Sequence, residues 1–517
     1  MTAQAATTDT LTDARTRSVA LARRLAVRLA PSAVPGLVML LLARYHLGKP
    51  TLGWDELATL SACRRTVGQM WELAKHMDGV IAPYYLFMHF WTDVFGTSEI
   101  AMRLPSALAV AGAVALAGEL GRRLFGGVTG FTAAMMLTLV PSLTYYAQEA
   151  RGYGLALFFA TLATLLCYRA AERRTWPAWA FYALAMAGAV FAHMFTIVIL
   201  LGHAVIVWLR VPGRERLRWA AVLALPLLAA APLVYLGIHQ QGTQLSWMPK
   251  PEWRDLSTAP ATIFGSNING IGSAASSRIV AIAFVFIGLA LAVRAKRGVV
   301  AELATLAVAP PLILIAVSIL RSPMWMPRYA LSAVVPLTLL AAASLIGPDR
   351  PLRRTVWVRA ALVLAILLPM QFTVNPAVRL TDIHVGGDYR AMARELELQH
   401  ASAQDGILYG ANTVWGLRGA VDYYVPQAYR PTDVLIKKTG VQRGQLSANE
   451  NWPPENYIGT QQQMWFVCIL VTTPTATDPL HLQKVDNRII ALLKQYKVAK
   501  IWRSKNLFLL RFEKLPG

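Results

Sequence analysis

Long apolar runs follow one another through the first three-quarters of the chain, and they restrict its fold more than any other feature. They lie at about 29–47, 101–120, 128–146, 153–170, 176–193, 195–209, 219–238, 277–293, 299–320, 329–347 and 356–375. A helix crossing a bilayer needs about 20 predominantly apolar residues. The pattern therefore predicts a polytopic α-helical membrane protein with about 11 transmembrane helices. With 55% hydrophobic and 15% charged residues, the chain departs from soluble proteins, of which about a quarter is charged. A water-soluble enzyme is excluded.

The net charge of +22 would suggest nucleic acid in a soluble chain. Here the basic residues form short clusters between apolar runs: Arg122 and Arg123; Arg169, Arg173 and Arg174; Arg210, Arg214, Arg216 and Arg218; Arg294, Lys296 and Arg297; Arg350, Arg353 and Arg354. The clusters occupy alternate connections, as the positive-inside rule requires of a cytoplasmic face, so no nucleic-acid partner is expected. Residues 1–28 carry Arg15, Arg17, Arg23 and Arg24 behind a long polar lead. They read as a cytoplasmic tail rather than a cleaved signal. An odd number of spans then places the C-terminus outside.

This topology leaves three large outer segments: loop 48–100, loop 239–276 and the tail 376–517. Most lysines fall after residue 436, and the tail mixes helical stretches (GDYRAMARELELQHA, DNRIIALLKQY) with strand-like runs (DGILYG, MWFVCILV, AKIWRS, LFLLRFE). A soluble α/β or α+β domain is expected there. Cys63, Cys167 and Cys468 offer no metal site. They read as packing residues, although Cys63 and Cys468 share the outer side and could pair.

The chemistry concentrates in the first outer loop. Asp55 and Glu56 are adjacent carboxylates just past the first span; the plain alternative is a pair of acids at a helix N-terminus. Val67, Met70, Trp71, Ala74 and Met77 recur at helical spacing, as in a helix lying in the membrane interface. PYYLFMHFWTDVF then supplies an aromatic belt, including Tyr84 and Tyr85. A loop held at the membrane surface would place Asp55 where it can act as a general base on a hydroxyl. Glu56 or Asp78 could be a second acid, or Asp55 and Asp78 could hold a divalent metal such as Mg or Mn through hard oxygen ligands.

Two further outer-face motifs supply positive charge. Tyr145-Tyr146-Ala147-Gln148-Glu149-Ala150-Arg151-Gly152-Tyr153 joins the third and fourth spans, and Met326-Pro327-Arg328-Tyr329 opens the tenth. Guanidinium forks match phosphate oxygens, so Arg151, Arg328 and Tyr329 are candidate phosphate-binding residues. Asp78, Tyr84, Tyr85, Glu149, Tyr153 and His193 are candidate substrate contacts.

These residues resemble the polytopic glycosyltransferases of the GT-C fold, in the protein mannosyltransferase and lipid A aminoarabinose transferase branch. The likeness covers about residues 29–380. It runs from Asp55-Glu56 through PYYLFMHFW, FGTSEIAMRLPSALA, YAQEARGYGLAL, AHMFT and the SWMP turn to MPRYA. It implies a GT-C domain over 29–375 and an extracytoplasmic domain over 376–517. It further implies Asp55 as catalytic acid or base, and a polyprenyl monophosphate sugar donor held by Arg151 and Arg328. The acceptor would be an envelope lipid, glycan or protein; the Arg-rich, Ala-rich spans suggest a bacterial inner membrane, with the site facing the periplasm or cell exterior. Relatives often read D-x-H-P-P-L-Y-Y where this chain has Asp78-Gly79-Val80-Ile81-Ala82-Pro83-Tyr84-Tyr85, so a role assigned through that His does not carry over. The rival readings are a lipid or glycan flippase, and a glycan polymerase or ligase using a diphosphate-linked donor.

Overall fold

In a computed structural model, the described residues are 28–245, 248–265, 273–347, 386–410, 414–469, 486–504 and 506–516, with a few single positions between 348 and 385. The first apolar run forms α1 (residues 28–44). The first loop folds into α2 (Trp54–Cys63), α3 (Val67–His76) and α4 (Ala82–Phe95). The body continues with α5 (Glu99–Phe125), α6 (Gly127–Thr138), α7 (Pro141–Ala147), α8 (Tyr153–Arg173), α9 (Trp176–Ala192), α10 (Leu200–Arg210), α11 (Arg216–Val222) and α12 (Ala224–Gln244). It closes with α13 (Trp253–Gly265), α14 (Ser273–Leu291), α15 (Arg297–Leu320) and α16 (Val334–Ile346).

Ten of the predicted apolar runs thus coincide with helix, whereas the run at 356–375 lies outside the described residues. Among the described residues, five helical segments are long and apolar enough to cross a membrane on their own, and α6 with α7 forms a sixth, bent by 67°. The bend falls where Pro141 opens α7, because proline withholds the amide that would continue the helix. Other runs are shorter or begin as 3-10 turns, as at Met194–Ile199 before α10 and Pro327–Ala333 before α16.

The two ends of the bundle carry different charges. Arg122 and Arg123 close α5; Arg123 pairs with Glu119 (2.8 Å) and Glu172 (3.4 Å), and Arg169 reaches Glu119 (3.7 Å). The basic clusters of α5 and α8 therefore meet at one end. The start of α5 lies at the other, where Glu99 pairs with Arg390 and Tyr424 of the tail. Ionisable groups buried among the spans are locked in place. Glu302 binds Arg210 (2.6 Å) and the Tyr168 hydroxyl (2.9 Å), and His203 sits between Thr164 and Tyr182. They staple the bundle rather than line a conduit.

The tail is α/β. Its five-stranded sheet has the order β2-β1-β5-β7-β6, with β1 (Gly406–Tyr409) parallel to β2 (Thr432–Asp433) and β5 (Gln463–Ile469). β7 (Leu507–Lys514) runs antiparallel to β5 and β6 (Tyr496–Ser504). A small hairpin pairs β3 (Ile436–Lys438) with β4 (Asn449–Glu450). Alternation along β5 sorts its side chains by face. Met464, Phe466 and Cys468 join Ile489 and Leu492, whereas Trp465, Val467 and Ile469 join Leu417 and Val421. The second cluster also contains Leu52, Leu57, Leu60, Tyr84 and Tyr85, so one face of the tail's sheet and the first loop share a core. Cys63 and Cys468 belong to different clusters, and all three cysteines are free and buried. Packing, not pairing, describes them.

The α3 stripe also splits. Met70 and Ala74 are buried with Leu73, while Val67 and Trp71 stay exposed. On α4 the separation is cleaner: Tyr84, Tyr85, Met88 and Thr92 face inward at i, i+4 spacing, and Phe87, Phe90, Val94 and Phe95 face outward.

Candidate active site

A cavity of about 390 Å³ opens where the first loop meets the ends of α8, α9, α12 and α15, and Asp55, Asp78, Arg151, Tyr153, His193, Arg328 and Tyr329 all line it. These residues come from five separate stretches of sequence. Glu56, Tyr84, Tyr85 and Glu149, also expected at the site, do not reach the cavity wall.

Asp55 stands in the first turn of α2. Its Oδ2 lies 3.5 Å from Arg328 Nη1, with the two side chains 38% and 21% exposed. Burial pushes the Asp55 carboxyl up, but Arg151 and Arg328 outweigh it, and the net shift is below the ordinary value. The group is therefore ionised at neutral pH and can accept a proton.

Glu56, one residue on, turns about 100° around the same helix into a closed ion pair. Arg103 donates to it from Nε (2.7 Å) and Nη2 (2.6 Å), and the amides of Gly53 (3.0 Å) and Ala150 (2.8 Å) complete its coordination. Arg103 spends its remaining donors on the carbonyls of Leu47, Pro50 and Thr51. A carboxylate so fully occupied has no lone pair to offer a substrate. The expectation of a catalytic Glu56 is corrected to that of a staple, which fixes the start of α2 against α5 and the loop before Arg151.

Arg151 is buried beside the cavity, and its Nη1 donates to the Tyr85 hydroxyl (3.2 Å), which donates to Asp78 Oδ2 (2.7 Å). Tyr85 and Asp78 thus hold the Arg151 guanidinium from behind. Burial raises the Asp78 carboxyl, against Arg151 and the Tyr85 hydrogen bond. Asp78 adopts a left-handed backbone (φ 57°), and Gly79 follows because a Cβ there would lie 2.8 Å from the Ala74 carbonyl. Gln240 of α12 accepts from the Gly79 amide (3.0 Å) and donates to Ala74 O (2.7 Å), tying this turn to the bundle.

Gly152 lets the Arg151 turn approach α9, since a Cβ would sit 2.2 Å from the Ala192 carbonyl. Beyond it, Arg328 lies within cation–π distance of the rings of Tyr153 (5.3 Å) and Tyr329 (5.7 Å), which help orient its fork. His193 packs on Tyr329 (4.7 Å) and Tyr153 (5.3 Å), with Phe195 on Tyr329 (5.0 Å). The result is an aromatic wall beside the guanidinium.

Glu149 is buried behind the wall. Burial, Asp55 and Glu56 push its carboxyl up to about 8 against Arg328 and Arg151, and its Oε2 has no hydrogen-bond partner among the described residues. The shift favours its protonated form at neutral pH, and it stands off the cavity wall. The secondary expectation of a Mg or Mn site does not fit the donor set. Asp55 faces a guanidinium and Asp78 a phenol, and among the described residues no three His, Cys, Asp or Glu side chains gather to hold a metal ion.

Sequence reasoning missed Arg103, Arg321, Gln241 and Gln244. The first had a usable signal, since an arginine inside a long apolar segment needs a buried anion, although nothing in the sequence says which acid supplies it.

This arrangement defines a class. Residues 82–236 match the sequence model of the dolichyl-phosphate-mannose-protein mannosyltransferase family. The fold is similar to that of ArnT from Cupriavidus metallidurans in the apo state, at a TM-score of 0.54 and 15% identity over 92% of this chain and 97% of that one. It is also similar to the same protein bound to undecaprenyl phosphate, at a TM-score of 0.51 and 16% identity over 92% and 97%. No curated protein matches in sequence. The chain is a multi-pass membrane protein with the fold of ArnT, the GT-C fold, and its likeness to the mannosyltransferase family model is confined to residues 82–236.

Proposed function

We propose that the protein transfers a monosaccharide from a polyprenyl monophosphate to a hydroxyl of a cell-envelope lipid, glycan or protein, on the outer face of a bacterial inner membrane. The observation that carries this reading is the placement of Asp55, Arg151 and Arg328 on one cavity, with Asp55 and Arg328 3.5 Å apart. Asp55 takes the proton of the acceptor hydroxyl as that oxygen attacks the anomeric carbon. The bond from that carbon to the phosphate oxygen breaks, and polyprenyl phosphate leaves with the bonding pair. Single displacement inverts the anomeric centre. Arg151 and Arg328 stabilise the charge that grows on the leaving phosphate, as preorganised groups in a partly closed site.

The Asp55–Arg328 contact gives the steps an order. Arriving phosphate competes for the guanidinium, and the carboxylate that loses this partner becomes a stronger base. Donor binding thereby arms the base that the acceptor needs. Below the site, an apolar cavity of about 440 Å³ between α13, α14, α15 and α16 is lined by Ala333, Val334, Leu337 and Leu340. The 3-10 turn from Arg328 to Ala333 rises ~2 Å per residue, or about 10 Å. One span thus joins the phosphate site to a groove suited to the prenyl chain.

The test is transfer by the purified protein in lipid nanodiscs from a polyprenyl monophosphate sugar. Asp55→Asn should abolish transfer while polyprenyl monophosphate still binds. Full activity in that variant, or consumption of only diphosphate-linked donors, overturns the reading.

A further inference from the structure

The cavity has a second wall that the reaction above does not use. α12, the segment after it and the connection after α15 contribute Gln241, Gln244, Met248, Arg321 and Met324 to it. Gln241 accepts from Ser322 (2.9 Å), and the Met324 amide donates to Ser318 (3.1 Å), which fixes the connection against α12 and α15. Arg321 is exposed into the opening. Among the described residues no acid pairs with its side chain, whereas Arg328 meets Asp55 and Arg151 donates to the Tyr85 hydroxyl. Its place after the last turn of α15 favours a cation there in any case, but that accounts for the charge and not for its presence on the cavity wall.

Charge and geometry together give Arg321 a task. The cavity holds three arginines and two aspartates, and a donor monophosphate answers the cations nearest Asp55. Those are Arg151 and Arg328, which hold the Asp55 carboxyl down, while Arg321 takes no part in that effect. In a single displacement the attacking and leaving oxygens lie on opposite sides of the anomeric carbon. Any anionic group on the acceptor is therefore kept away from the donor phosphate by the sugar between them, and it needs a cation of its own. Arg321 stands at the end of α15, on a different element from either phosphate arginine, and Gln241, Gln244, Met248 and Met324 line the same cavity.

We propose that the wall around Arg321 is the acceptor subsite and that Arg321 reads a phosphate or carboxylate carried by the acceptor near its reacting hydroxyl. This rests on the donor reading above and names the acceptor's chemical class. Guanidinium suits either anion through paired hydrogen bonds, and the flanking methionines suit the apolar part of an amphiphile.

The experiment uses the full-length protein in nanodiscs saturated with polyprenyl monophosphate. Binding is measured for octyl glucoside, octyl glucoside 6-phosphate and octyl glucuronide. The wild type should bind at least one anionic glycoside about tenfold more tightly than the neutral one, and the two anionic probes separate phosphate from carboxylate. Arg321→Gln should erase that preference, Arg321→Lys should keep part of it, and neither should change the affinity for polyprenyl monophosphate. The exposed side chain makes loss of folding an improbable confounder, and thermal melting of the variant checks it. A wild type without preference, a preference that survives Arg321→Gln, or a loss of polyprenyl monophosphate binding equal to that in Arg328→Ala overturns the inference. Failure of the wild type to bind polyprenyl monophosphate overturns the donor reading instead, and the glycoside preference reports on Arg321 separately.

Discussion

Asp55 and Glu56 are neighbours on one helical turn, and each faces an arginine, yet the two pairs are built differently. Glu56 and Arg103 are wholly buried, and their side chains exchange two hydrogen bonds at 2.7 and 2.6 Å. Asp55 and Arg328 meet at 3.5 Å with part of each side chain exposed. The closed pair has no unmet valence and serves as structure; the open pair keeps lone pairs and N–H groups for something that arrives. The adjacent acids in WDE thus differ in their surroundings, and the one proposed to react is the less well coordinated.

The largest expected effect separates the two. Asp55→Asn should lower the transfer rate by about 10²- to 10⁴-fold, the range for a positioned general base, with no loss of thermal stability; equal losses in both would erase the contrast. Glu56→Ala should do the reverse, destabilising the fold by about 3–5 kcal/mol, because it strands the Arg103 charge in the interior. Denaturation of the purified variants measures this, and the double replacement of Glu56 and Arg103 by Met should recover part of the loss. Arg328→Ala removes about 1.5–3 kcal/mol of charge-assisted hydrogen bonding to the donor. That corresponds to a rise of roughly 10- to 100-fold in donor KM, and an unchanged KM would detach Arg328 from the phosphate.

Acid and base limbs sharpen the comparison further. The Asp55 carboxyl is held below the ordinary carboxylate value, so its contribution to activity in the free enzyme is retained at mildly acidic pH and lost only as the pH falls through that lowered value. Glu149 shifts the other way, from 4.5 to about 8. Its folded form holds the proton more tightly than its unfolded form, so stability declines as pH rises from about 4.5 to about 8 and levels off above. Glu149→Gln should flatten that decline while leaving transfer at neutral pH close to wild type. The smallest effect belongs to Gly416, where a Cβ would lie 3.0 Å from the Trp54 ring. Gly416→Ala should lower kcat a few-fold through the neighbouring Asp55, without changing the affinity for polyprenyl monophosphate.

Much of the bundle was legible because burial in lipid leaves few options. Apolar runs must be helical to satisfy their backbone, and the arginine clusters at the ends of α5 and α8 marked one face. Asp55, Arg151 and Arg328 were legible too, as charges placed at span ends where neither lipid nor a closed core suits them. What stayed hidden was pairing. That Glu56 meets Arg103 depends on a contact spanning 47 residues, and adjacent acids in sequence carry no sign of which one turns inward. The strands of the tail showed in their apolar runs, but the helix Val414–Tyr424 did not, since its VWGLRGAVDYY is interrupted by glycines. Those glycines make sense only against their neighbours: Gly416 lies beside Trp54 and Gly419 beside Leu57.

The core shared by the first loop and the tail sets a biosynthetic schedule. Leu57 and Leu60, which anchor the helix of Asp55, are sealed by Leu417, Trp465, Leu507 and Leu509, and the last of these arrives nearly 450 residues after Leu60. A ribosome threading this chain into a membrane therefore makes every candidate reacting group before the residues that back their helix. A stop codon within β7 would leave an inserted bundle whose first loop has lost part of its backing.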